Sequence, residues 1–115
     1  MIDELKKYTP NDLEEAVTAI DIITEESSDK IAWINSEEND ALAEAHHSLG
    51  QNIRNAWGLW DENSVLHLWF KENGIWHPDD MSSIILTCFH REKNGKKWKL
   101  KKQIKFYKKF WKNNK

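Results

Sequence analysis

Apolar residues recur along most of the chain at intervals of three and four, the period of an amphipathic helix rather than the alternation of a strand. After Thr9-Pro10, the set Leu13, Ala16, Val17, Ile20 and Ile23 follows one helical face. Asn11 stands where an N-cap belongs and Glu14 completes a capping box, so a helix is predicted to start there, with Ser27, Ser28 and Asp29 breaking it. A short turn through Ile31, Trp33 and Ile34 precedes a cap at Ser36 or Asn39. Leu42, Leu49, Ile53, Ala56 and Trp60 then line one side of a long helix that Gly58 ends or bends.

Val65, Leu68 and Trp69 continue the pattern to Asn73-Gly74, where a glycine just past the last helical residue is a common stop. His77-Pro78-Asp79-Asp80 restarts it. Proline suits the first helical position, the aspartates favour the positive end of the helix dipole, and Met81, Ile84, Ile85, Cys88 and Phe89 form the buried side. Leu100, Ile104, Tyr107 and Trp111 share one face of a last helix whose other face is almost all lysine.

The expected fold is therefore mainly α, a bundle of about five or six short helices in a single domain over residues 1–115, with residues 1–8 and 113–115 as frayed ends. One alternative is a small β-hairpin near residues 84–100, turning at Asn94-Gly95 between strands at 84–90 and 97–100. The helix start at Pro78 argues for the helical reading.

Composition narrows the picture. Seven Trp, four Phe and two Tyr in 115 residues can build one core without a metal or disulfides. Cys88 is the lone cysteine, and residues 1–20 lack an apolar run preceded by basic residues, which points to a soluble protein of the reducing cytoplasm. The uncharged stretch 81–89 is about half the roughly 20 residues of a membrane span, so no membrane association is expected. Charge is unevenly placed: residues 1–90 hold 5 Lys/Arg and 18 Asp/Glu, a net of −13, and residues 91–115 hold 12 and 1, a net of +11. Such a basic end either folds back on the acidic body or meets an anionic partner such as nucleic acid.

Few residues suggest chemistry. Adjacent His46 and His47 point about 100° apart on a helix and cannot easily grip one ion, so no metal is expected; His46 falls on the apolar stripe and His47 beside Arg54 on its flank. A covered Arg54 needs a partner, and Asp79 or Asp80 is the obvious internal one. The same groups, with Asn55, would otherwise bind an anionic ligand or pair an acid with a histidine. No glycine-rich phosphate loop, HExxH or paired CxxC is present, no cofactor is implied, and Cys88 on its apolar stripe reads as a buried thiol. Trp57, Trp60, Trp69 and Trp76 crowd a short stretch, more than a small domain fully buries, and exposed Trp beside Arg typifies protein-binding hot spots.

The strings His46-His47-Ser48-Leu49-Gly50, Ile53-Arg54-Asn55, Trp57-Gly58-Leu59-Trp60, Gly74-Ile75 and His77-Pro78-Asp79-Asp80-Met81-Ser82-Ser83-Ile84-Ile85-Leu86 resemble the DUF6794 family of small bacterial domains of unknown function. The resemblance runs over residues 9–112 and includes Thr9-Pro10 and Leu13-Glu14-Glu15-Ala16. It implies a compact domain with no activity to carry over. His47, Arg54, Asn55, His77, Asp79, Asp80, Ser82 and Ser83 are its matching polar positions, and the lysines after Arg91 are less distinctive of it.

Three functions follow as expectations. The first is a non-catalytic protein-binding module, inhibitor or immunity-like, using Trp57, Trp60 and the polar flank of His47, Arg54, Asn55, His77, Asp79 and Asp80. The second is a small-molecule or enzymatic site around His47, Arg54 and Asp79. The third is nucleic-acid binding through Lys101, Lys102, Lys105, Lys108 and Lys109.

Overall fold

A computed structural model describes residues 2–114. These form eight helices: α1 Ile2–Lys6, α2 Leu13–Ile23, α3 Lys30–Asn35, α4 Glu38–His46, α5 Leu49–Ala56, α6 Val65–Glu72, α7 Pro78–Lys93 and α8 Leu100–Asn113. No strand occurs among the described residues.

Helix α7 is the axis of the molecule, since α2, α4, α5, α6 and α8 all pack on it. Its sequence explains both its start and its end. His77 caps it by accepting the Asp79 amide at Nδ1 (3.0 Å), Pro78 occupies the first turn, and Met81, Ile84, Ile85, Leu86, Cys88 and Phe89 are all buried. At the far end Asn94-Gly95, on which the alternative hairpin would have turned, makes a helix stop. Gly95 takes φ 68°, its amide bonds Glu92 O (3.1 Å) and the Lys96 amide bonds Arg91 O (2.8 Å). The left-handed residue that a hairpin turn needs is equally what this helix cap needs, and the apolar face of α7 decides between them.

Eight helices replace the expected five or six because the long helix expected past Ser36 is two and because α1 forms near the start. The break lies at His47-Ser48, where Ser48 has φ −116° and ψ −93° and its hydroxyl turns back to Glu44 O (3.2 Å) and Ala45 O (3.4 Å). Serine competes for backbone partners in this way, which loosens a helix interior. Gly58, at φ 64°, closes α5. At the start of α2 the cap is Asp12 rather than Asn11, with Asp12 accepting from the Glu15 amide (2.9 Å) and Glu15 accepting from the Asn11 amide (3.0 Å), a box shifted by one residue.

The segment expected to fray at the start instead carries α1, whose Leu5 is fully buried and whose Leu5 carbonyl accepts the Trp57 indole at 2.8 Å. At the other end α8 continues to Asn113; Met1 and Lys115, also assigned to the frayed ends, lie outside the described residues. No helix among the described residues is long and apolar enough to cross a membrane.

Two further ties brace the frame. Arg91 on α7 grips Glu38 on α4 through both carboxylate oxygens, Nε to Oε1 at 2.8 Å and Nη2 to Oε2 at 3.1 Å. Helix α8 folds back on α7 with Leu100, Ile104 and Tyr107 packed against the core. Its polar groups mate with those of α7: Trp111 Nε1 donates to Asp80 Oδ2 (2.7 Å), Tyr107 reaches Ser83, and Gln103 Nε2 donates to Cys88 Sγ (3.5 Å).

Candidate functional site

The break between α4 and α5 leaves the His46 carbonyl without a helical partner, and Arg54, two turns on, takes it. Its guanidinium, almost completely buried, donates from Nη2 to His46 O (3.0 Å) and from Nη1 to Ser82 Oγ (2.8 Å), and Ser82 in turn donates to Asp79 O (3.1 Å). Nε lies 3.4 Å from Asp79 Oδ1, an ion-pair contact without a well-formed hydrogen bond. Gly50 makes room for this: a Cβ there would stand 3.1 Å from both Ala45 O and Arg54 Nη1. The Arg54 charge is thus matched internally, by Asp79 and not by Asp80.

Asp80 belongs to a second group centred on the His77 ring. Trp111 stacks on that ring (centroids 5.4 Å apart, planes 15°), with Trp76 at 6.2 Å and Trp60 at 6.3 Å, while Trp76 and Trp111 lean on each other at 4.8 Å. Because His77 Nδ1 accepts from the Asp79 amide, it has no proton to offer the Asp79 carboxylate 4.0 Å away, and we regard that separation as proximity. Burial raises the Asp80 carboxyl above the usual aspartate range; the Trp111 hydrogen bond and the nearby His77 oppose the shift, and Asp79 adds to it.

The residues singled out in the sequence therefore divide. Arg54 and Asp79 meet in the interior knot, with Ser82 and the His46 carbonyl as partners that spacing did not reveal. His77, Asp80 and Trp60 join the aromatic group, and Trp76 and Trp111 complete it. His47 and Asn55 are exposed, and His47 has its ring against His46 (4.7 Å) rather than in the Arg54 knot. Trp57 is core, held by the α1 carbonyl, and offers no partner surface. Trp60 and Trp76 are exposed, at 57% and 52%.

Two of the surface concavities matter here, neither legible in the sequence. One of about 560 Å3 is lined by Trp33, Leu49, Asn52, Ser48, Glu44 and Phe89 among others, and contains none of His47, Arg54 and Asp79. The other, about 530 Å3, lies between Trp76, Lys108, Trp111, Lys112 and Asn114. Of the predicted basic residues, Lys101, Lys105 and Lys108 share a stripe with Lys112 at i, i+4, i+7 and i+11, whereas Lys102 and Lys109 sit about a quarter-turn round α8 from it. Among the described residues no ion pair involves any of these six lysines, and no group of three His, Cys, Asp or Glu could hold a metal ion.

Fold and site together define an all-α domain with an interior arginine knot and an aromatic group at one surface. The chain belongs to the family described as a domain of unknown function, DUF6794, whose model matches residues 9–93. The match takes in the arginine knot, Trp60, Trp76, His77 and Asp80, and stops before α8. No curated protein and no solved structure matches the chain.

Proposed function

We propose that this domain is a non-catalytic protein-binding module whose contact surface centres on Trp60. The observation that carries this reading is a concentration of exposed apolar side chains: Trp60, Val65, Leu68 and Trp76, four of the eight exposed large hydrophobics among the described residues, fall between residues 60 and 76. Tryptophan is the residue most enriched at interface hot spots, and an exposed one beside a polar group such as His77 is the arrangement partners bury. The groups best suited to chemistry are engaged within the fold: Arg54 is spent on three internal partners, and the Cys88 thiol is buried and pushed up to about 12.

Affinity capture with tagged wild-type protein, compared with a folded Trp60→Ala variant, tests this. A protein retained by wild type and lost from the variant is expected, with the affinity of the purified pair falling at least about 30-fold, the scale of a hot-spot tryptophan. Equal retention by both would remove Trp60 from the interface and end the proposal. An inhibitor or immunity-like role is the finer form of the same reading. It requires the captured partner to be an enzyme or toxin whose activity drops on binding wild type but not Trp60→Ala.

A further inference from the structure

We infer that the α8 flank is a binding track for single-stranded nucleic acid, with phosphates along Lys101, Lys105, Lys108 and Lys112 and a base held against Trp76 and Trp111. The inference goes beyond the Trp60 surface and shares only Trp76 with it. Helical spacing puts the four lysines in single file, successive members about 5–6 Å apart. None is in an ion pair among the described residues, and α8 has no acidic residue to neutralise them. The file leads into the concavity of about 530 Å3, lined by Lys108, Lys112, Asn114 and the Trp76 and Trp111 rings, which are tilted at 44° to each other. Cations tracking a backbone beside open aromatic faces are the two parts from which sequence-tolerant single-strand binding is made.

Other anionic surfaces fit less well. A bilayer needs an apolar helix face to insert, and the apolar face of α8 is already packed against the core through Leu100, Ile104 and Tyr107, with Trp111 tied to Asp80 and His77. Phe106 and Phe110 are exposed, but helical position sets them away from the lysine file. A duplex offers phosphates but keeps its bases stacked inside, leaving the tryptophan walls without a ligand. The acidic body, net −13 over residues 1–90, confines the attraction to this flank.

Fluorescence anisotropy with a labelled 15-nucleotide oligo-dT tests the inference on the full chain. Four phosphate contacts on a single strand give a salt slope of about −2.8, so affinity is expected to fall about fiftyfold between 50 and 200 mM salt. Lys108→Ala with Lys112→Ala should cut the slope by about half. Trp76→Ala should weaken binding about 5- to 150-fold, the range for loss of one stacked base, and binding should quench tryptophan fluorescence in wild type. Trp60→Ala should leave oligo-dT affinity unchanged, which separates this result from the fate of the Trp60 surface. The variants are checked by circular dichroism, and all alter exposed side chains or the rim of the concavity. No binding at 50 mM salt overturns the inference, as does binding that ignores Trp76→Ala, equal affinity for a duplex of the same length, or a preference for phosphatidylserine vesicles or polyglutamate over oligo-dT.

Discussion

Arg54 on α5 donates from Nη1 to the hydroxyl of Ser82 on α7 at 2.8 Å, an interior bond between residues 28 positions apart. With the His46 carbonyl and the Asp79 carboxylate it makes one cation the meeting point of α4, α5 and α7. Arg54→Ala leaves Ser82 Oγ and His46 O buried without a donor and should destabilise the fold by about 3 kcal/mol. Asp79 is 43% exposed, so water screens its part and Asp79→Asn should cost about 1 kcal/mol or less. Arg54→Lys should recover only part of the loss, since one ammonium cannot span three partners. Urea unfolding orders the three variants, and an Arg54→Ala protein as stable as wild type would mean the knot is not structural.

The two tryptophans three positions apart should behave oppositely. Trp57 is buried and bonded to Leu5 O, so Trp57→Ala should lose about 3–5 kcal/mol. Trp60 is 57% exposed, and its replacement should shift stability by about 1 kcal/mol or less while removing partner binding. Thermal unfolding of both variants decides this; similar losses would refute the division into core and surface.

Glu38 is held below its usual 4.5, chiefly by the Arg91 hydrogen bonds, with burial opposing and the Arg91 charge assisting. A depressed folded value means stability fully present above the unfolded value and lost as pH falls through the folded one. Glu38→Gln should therefore cost about 1–2 kcal/mol at pH 7, and the gap to wild type should close as pH drops below about 4. A gap that persists at pH 2.5 would show that packing, not charge, is what the substitution removed.

Asp80 has the reverse sign. With its folded value raised by burial, the native state binds more protons than the unfolded chain just above the normal aspartate range, so this group's contribution falls as pH rises through that window. Asp80→Asn removes the buried charge and can still accept from Trp111 Nε1, so it should stabilise the protein at pH 7 and change little at pH 3. Equal or lower stability at pH 7, measured by denaturant midpoint, would contradict this.

The helical character was readable because the three-and-four spacing persists through residues 13–23, 65–72 and 78–93, and pairing Arg54 with an acid of the Pro78 turn followed from the need to match a covered charge. Two local signals admitted more than one reading. Asn94-Gly95 supplies a left-handed residue that hairpin turns and helix stops both require, and periodicity across Ser48 conceals a break that depends on a hydroxyl bonding backward. The role of Leu5 could not be read locally, since its carbonyl's partner is the Trp57 indole, 52 positions away. The aromatic group was equally hidden, because it exists only once α8 turns back and lays Trp111 on His77.

The bond from Gln103 to Cys88 has a kinetic consequence. The thiol is fully buried under α8, and its ionisation, pushed up to about 12 mainly by burial, leaves almost no thiolate at neutral pH. A disulfide reagent can therefore react only in the moments when α8 lifts away. The labelling rate of Cys88, divided by that of a free thiol, measures how often this happens, so the lone cysteine serves as a built-in clock for the opening of the chain's last helix.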